Sequence, residues 1–190
     1  NNSWLFEFPS LPKGRFNSVC FVYRDSLYVF GGTDNSSNMN EIVRYDLSTQ
    51  NSGEWTTIAK VNEANQRGGV AFVVEDKVYA GLGEKSNGIR NGFYVSSDSL
   101  TKWELIPSIP AQLGVISSGV YDEQKKSFFM IDNDGKIWEY NLTTEQWTSR
   151  SLWIRMKNYH MFMLDGSIYI LGQDIYQKNK FTVYNPIWDN

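Results

Sequence analysis

An all-β chain built from four similar four-stranded units is predicted by three observations. Tryptophan recurs as a ruler: Trp4, Trp55, Trp103, Trp147 and Trp188 lie 51, 48, 44 and 41 residues apart. A tyrosine precedes each of the last four, at Tyr45, Tyr94, Tyr140 and Tyr184. No segment of 11 or more residues sustains a helical period, so almost no helix is expected. A four-stranded unit repeated at this spacing is the blade of a β-propeller.

Each unit opens with an apolar run, strand a: Val19-Cys20-Phe21-Val22, Val70-Ala71-Phe72-Val73, Ser118-Gly119-Val120-Tyr121 and Met161-Phe162-Met163-Leu164. Strand b follows at Leu27-Tyr28-Val29-Phe30, Val78-Tyr79-Ala80-Gly81, Phe128-Phe129-Met130-Ile131 and Ile168-Tyr169-Ile170-Leu171. These runs are rich in β-branched and aromatic residues, which suit a pleated, half-buried surface. Arg24-Asp25-Ser26, Glu75-Asp76-Lys77 and Asp165-Gly166-Ser167 read as the hairpin turns between a and b. Strand c lies just before each tyrosine: Glu41-Ile42-Val43-Arg44, Asn91-Gly92-Phe93, Lys136-Ile137-Trp138-Glu139 and Phe181-Thr182-Val183. The ruler tryptophan opens strand d.

The unit resembles a kelch repeat. Unit one carries most of that pattern: Arg15, the Leu27-Tyr28-Val29-Phe30 strand, Gly31-Gly32, Tyr45-Asp46-Leu47 and Trp55. The others are degenerate, with Gly81-Leu82-Gly83, Asp132-Asn133 and Gly172-Gln173 where unit one has its double glycine. The resemblance implies a kelch-type propeller of four blades, at about 16–59, 66–107, 113–152 and 157–186. Trp4-Leu5-Phe6-Glu7-Phe8-Pro9 matches Trp103-Glu104-Leu105-Ile106-Pro107, so residues 3–8 are expected to complete the last blade as its strand d. Pairing them there removes two open sheet edges. Kelch propellers more often have six or seven blades. A piece of a longer propeller, or two chains joined into an eight-bladed ring, are therefore the alternatives to a closed four-bladed monomer.

Composition narrows the function. The chain has 190 residues, 41% hydrophobic and 15% aromatic, too apolar for a disordered segment. No stretch approaches the roughly 18 apolar residues of a membrane helix. Charges are dispersed, with a net charge of −3, and no basic stripe suggests nucleic-acid binding. One cysteine and one histidine exclude an intrachain disulfide, a Cys-based zinc site and any site of two imidazoles. The copper oxidase of the kelch-fold group needs two histidines, so that activity is not expected. The chain begins Asn1-Asn2-Ser3-Trp4, without Met or an apolar leader, and reads as processed or excised. An extracytoplasmic, secreted or cell-surface bacterial protein is the expected setting, with the cytoplasm as alternative.

Chemical motifs are nearly lacking. There is no phosphate loop, no His-Glu-x-x-His and no Cys-x-x-Cys. Asp132-Asn133-Asp134-Gly135 lacks the later ligands of a calcium loop and reads as a tight turn. No metal and no cofactor is expected. Cys20 is expected to be a buried small hydrophobe, and His160 a structural or surface residue. The ruler tryptophans are packing residues, while Trp138 and Trp153 fall outside the ruler and are weighed between core and exposed stacking. Asn35-Ser36-Ser37 and Asn141-Leu142-Thr143 match the glycosylation pattern, a match common by chance.

In kelch-type propellers, binding groups come from the loops leading into strand a and from the b–c loops. The residues at those positions make the candidate ligand site: Arg15, Asn17, Arg67, Arg155, Asn158 and Tyr159, with Leu113 nearby. Three of the four units place an arginine near the start of strand a, and arginine can grip a carboxylate with two parallel hydrogen bonds. The b–c loops 33–40, 85–90 and 174–180 are long and that of unit three minimal, which predicts an uneven wall. With no catalytic constellation, the sequence points to a non-catalytic binding module for a protein or glycan, monomeric or homodimeric. The alternative is an enzyme acting on a sugar acid, similar to kelch-type sialic acid mutarotases. A purely structural domain is the third reading.

Overall fold

The computed structural model describes residues 9–85, 88–89, 92–97, 99–109, 118–132, 134–153, 156–174 and 176–186. Four antiparallel sheets follow one another along the chain. Blade one is β1 (Val19–Tyr23), β2 (Ser26–Phe30), β3 (Glu41–Asp46) and β4 (Thr56–Lys60), paired in that order. Blade two is β5 (Val70–Val74), β6 (Lys77–Gly81), β9 (Phe93–Ser97) and β10 (Glu104–Leu105). Its b–c loop adds a small hairpin of β7 (Glu84–Lys85) and β8 (Gly88–Ile89). Blade three is β11 (Gly119–Asp122), β12 (Ser127–Ile131), β13 (Lys136–Asn141) and β14 (Gln146–Trp153). Blade four has β15 (Lys157–Leu164), β16 (Ser167–Gln173) and β17 (Asn179–Tyr184). The expected completion of this blade by residues 3–8 lies outside the described residues. Helix is limited to two 3-10 turns among the described residues, Leu47–Ser52 and Asn62–Ala64.

The turns explain why the strands reverse where they do. Arg24 and Asp25 both hold positive φ, 44° and 56°, as do Asp165 and Gly166 at 47° and 71°. Two such residues in a two-residue loop match the right-handed twist of the flanking strands. Between strands c and d, Asp46 Oδ1 accepts from Ser48 N at 3.0 Å, and Asn141 Oδ1 accepts from Thr143 N and Thr144 N at 2.9 Å. Asn141 Nδ2 donates to Lys125 O and Ser127 Oγ, so the amide of this glycosylation match is engaged within the blade.

The core is divided among the blade interfaces. Strand β1 lies against β5, β5 against β11 and β11 against β15, so the a strands form the inner wall. One apolar cluster joins blades one and two through Phe21, Tyr28, Phe30, Val78, Ala80 and Leu100. A second joins blades two and three around Phe72, Tyr79, Phe93 and Phe128. A third joins blades three and four through Val120, Phe129, Ile131, Met161, Ile168 and Ile170. The Tyr–Trp ruler is packing within blades: Tyr45 meets Trp55 at 5.3 Å and Tyr140 meets Trp147 at 4.8 Å. Indole N–H groups also bind main-chain oxygens, Trp55 that of Pro9 and Trp147, across to blade two, that of Pro107.

One expectation is corrected, for Cys20, and one open alternative is decided, for Trp138. Cys20 is exposed rather than buried, because strand β1 alternates and its Val19, Phe21 and Tyr23 take the covered face. Partial burial of its sulfur still pushes the thiol pKa up, against the pull of Arg15. Trp138 is core: it joins the cluster between blades two and three, and its indole N–H reaches Asp132 Oδ2 at 2.9 Å. The Asp132 turn is a tight hairpin, with Asp132 Oδ1 accepting from Asp134 N and Lys136 N. No group of three metal-ligating side chains occurs among the described residues.

Candidate functional site

The loops that enter strands β1 and β5 lock onto each other near the axis. Gly31 and Gly32 both hold positive φ, 64° and 96°. A Cβ on Gly31 would sit 2.5 Å from Ala64 O and 2.6 Å from Gln66 O. Only glycine lets the next blade's loop cross here. Gly32 N then donates to Gln66 O at 2.8 Å and Gly68 N to Asn17 O at 2.7 Å. The buried Gln66 side chain accepts from Gly83 N at 2.9 Å, tying this crossing to the end of β6.

That scaffold holds an ion pair in the wall of a cavity. Arg67 and Glu84 exchange both main-chain hydrogen bonds, at 2.9 and 2.8 Å. Their side chains meet too, with Arg67 Nε and Nη2 donating to Glu84 Oε2 at 3.1 and 3.0 Å. Arg67 Nη1 and Glu84 Oε1 carry no partner among the described residues. Because Glu84 Oε2 sits on the Nε and Nη2 edge, Arg67 Nη1 faces away from Glu84, so each partner keeps a hydrogen-bonding atom on its far side. The cavity, about 460 Å³, is lined by Asn17, Ser18, Arg67, Gly68, Gly69, Glu84 and His160. Blades one, two and four all contribute to it.

A second, smaller hollow of about 200 Å³ shares Arg67 and Glu84 and is walled by Thr33, Asn35 to Asn38 and Lys85. Its loop is organised by Asp34, whose Oδ1 accepts from Ser36 N and Ser37 N, both at 3.1 Å. Lys13 binds the other Asp34 oxygen at 2.5 Å. These bonds, the Lys13 one foremost, hold the Asp34 carboxyl well below the usual carboxylate range. Asn38 Nδ2 reaches across to Glu84 O at 2.9 Å, so the loop of blade one braces the site of blade two.

The sequence candidates separate on this geometry. Arg67 and Asn17 line the cavity. Arg15 does not: its side chain is 1% exposed and binds Gly31 O and Glu41. Tyr159 is buried with its hydroxyl donating to Ile131 O, a bond between blades four and three. Arg155 and Leu113 lie outside the described residues, and of Asn158 only the strand position in β15 is described. Glu84, Ser18 and His160 belong to the site and were not among the candidates. Glu84 stands just past Gly83, one residue ahead of the b–c loop read from the sequence, and that position is the signal that could have found it.

The family model for the Kelch motif matches residues 14–62, which is blade one with the loop that leaves it. No curated protein matches the sequence. A solved structure described as that of YjhT superposes on 96% of this chain and 69% of its own, with a TM-score of 0.67 and 11% identity. With the Kelch motif in blade one and the same strand order built again in the blades that follow, the chain has the fold of a kelch-type β-propeller.

Proposed function

We propose that the chain is a non-catalytic binding module that holds a polar ligand, a glycan or a peptide segment, in the cavity beside Arg67 and Glu84. The observation that carries this is the Arg67–Glu84 ion pair in the wall of a cavity shared by three blades. A guanidinium that can donate and a carboxylate that can accept, in one wall, suit the hydroxyls of a sugar or the amide of a peptide bond. A lone carboxylate fits less well, because Glu84 already occupies the charged edge of the guanidinium. Asn17, Ser18 and His160 add polar groups around the rim. The pattern is that of a ligand pocket in which a few placed polar groups set orientation.

Titration of the protein with a panel of neutral and acidic saccharides and short peptides, followed by NMR shifts, tests the site. Binding that perturbs Gly68, Gly69 and His160, and that Arg67→Ala weakens by about tenfold or more, is expected, since hydrogen bonds to charged groups contribute ~1.5–3 kcal/mol. Affinity unchanged in Arg67→Ala rejects the site. A second reading, an enzyme acting on a sugar acid, is favoured by Arg67 and His160 lying on one cavity. An NMR anomerisation assay separates the two, because a binding module leaves the exchange rate at its uncatalysed value.

A further inference from the structure

We propose that a second binding site, for the phosphate ester of a sugar or other small polyol, lies at the c–d turn of blade two, away from the Arg67 cavity. Lys77 opens β6 and Glu84 follows its end, so the two sites stand at opposite ends of that strand. The other blades show how this corner is ordinarily closed. In blades one, three and four the residue that opens strand b is a serine, Ser26, Ser127 and Ser167. Ser26 lies opposite Asp46 and Ser127 opposite Asn141, at the end of strand c. Arg44 Nε donates to Ser26 Oγ at 2.9 Å and Arg44 Nη2 to Asp46 Oδ2 at 3.3 Å. Asn141 Nδ2 donates to Ser127 Oγ at 3.1 Å, and Asn185 Nδ2 to Ser167 Oγ at 3.4 Å. Three blades thus satisfy this corner from within.

Blade two departs from that pattern. Lys77 replaces the serine and lies opposite Ser97, both exposed. Val95 stands where blade one has Arg44. The corner opens instead into a hollow of about 390 Å³, a volume within the range of small-molecule sites, with Val95 in its wall. Lys77, Lys102, Ser97, Ser99, Thr101 and Glu104 also line it. Neither lysine has an ion-pair partner among the described residues. A place where one repeat breaks the local rule its neighbours keep is where function is expected to have displaced packing.

The c–d turn that carries these groups is pinned to the core. Leu100, at φ 58°, is 1% exposed and lies in the cluster between blades one and two. Trp103 packs edge-on against Phe30 at 5.2 Å, and its indole N–H donates to Leu100 O at 3.0 Å. Ser96 Oγ closes the turn by donating to Lys102 O at 2.6 Å. With Leu100 drawn inward, its neighbours Ser99 and Thr101 are left exposed, their hydroxyls 2.7 Å apart. One bond joins that pair, so one hydroxyl hydrogen remains to donate outward. Two ammonium groups and these hydroxyls suit an oxyanion with three acceptor oxygens and about two negative charges, which is a phosphate ester. The ionised Glu104 accepts and cannot donate, so it suits a hydroxyl of the esterified polyol and repels a bare anion.

NMR titration of the 190-residue chain with glucose 6-phosphate tests this, at fixed ionic strength because salt screens the lysines. Saturable shifts of the Ser97, Ser99 and Thr101 amides are expected, with glucose and inorganic phosphate each binding there about tenfold more weakly or worse. Lys77→Gln combined with Lys102→Gln is expected to lower the affinity by about tenfold or more. The melting temperature of that variant is expected to stay put, since both side chains are exposed. Lys178→Gln with Lys180→Gln makes the same change of net charge at exposed positions of blade four and is expected to leave the affinity as it was. Absence of a saturable shift at the three amides overturns the proposal. An equal loss in the two double variants overturns it in favour of long-range charge alone. Inorganic phosphate binding as tightly as the ester overturns it in favour of a bare anion. Gly68 and Gly69 report the Arg67 cavity, so failure of one site and failure of the other are read separately.

Discussion

At Gly31 a single hydrogen atom decides whether two blades can meet. The backbone oxygens of Ala64 and Gln66 stand where a Cβ would be, and φ is +64°. Neither oxygen can move without breaking a hydrogen bond, from Gln66 N to Ala64 O or from Gly32 N to Gln66 O. Gly31→Ala is therefore expected to lower stability by more than the ~1–3 kcal/mol usual for a strained backbone position, because a clash adds to the strain. Chemical denaturation of the variant checks this, and a midpoint within error of the parent contradicts the crossing. The arginines give the complementary lesson. Arg15 and Arg67 hold equivalent places in the sequence, ahead of strand a, and were grouped on that basis. Arg15 turns inward because Glu41, 26 residues later, and Gly31 O receive it. Arg67 meets Glu84 at the rim instead, with its side chain 45% exposed. Local sequence shows the arginine and does not show which carboxylate the sheet will bring beside it.

Among the elements, the hairpins and inner strands were legible and the loops were not. Alternating apolar runs bounded by Arg-Asp, Glu-Asp and Asp-Gly turns left little freedom in strands a and b. The hairpin of Glu84–Lys85 with Gly88–Ile89 was missed, because two-residue strands carry no period to detect. Strand β10 is shorter than expected, Glu104–Leu105 alone, and Leu105 is exposed. The b–c turn of blade three shows what a legible element is held by. Asp132 accepts from two backbone N–H groups with one oxygen and from the Trp138 indole with the other. Asp132→Ala leaves that buried indole N–H unpaired, which costs about 1–3 kcal/mol. Thermal melting is expected to show the loss, and Asp132→Asn to recover part of it, because its amide oxygen can still accept.

For the molecule as a whole, the interfaces between blades carry the cohesion, since the single cysteine permits no intrachain disulfide to bind one sheet to the next. The interface of blades two and three is the most aromatic, with Phe72, Phe93, Tyr121 and Tyr140 around the fully buried Phe128. Three tyrosines at this joint, Tyr79, Tyr121 and Tyr140, resist ionisation, chiefly because burial disfavours the phenolate. Tyr140 is pushed from the ordinary 10.0 to about 12, with Glu145 adding to the effect. The folded state thus keeps the Tyr140 proton where the unfolded chain has begun to lose it. Above about pH 10 the unfolded state binds fewer protons, so stability falls as pH rises, and the contribution is fully present only below the unfolded value. Alkaline unfolding is expected to begin between pH 10 and 12 and to start at this joint, seen as early loss of the Trp147 fluorescence signal, since Trp147 packs on Tyr140. Tyr140→Phe removes the ionisable group while keeping the ring, and is expected to move the alkaline midpoint upward with the neutral-pH stability nearly unchanged. A midpoint that does not move places the alkaline weakness at another interface and leaves the blade two–three joint as the stronger one.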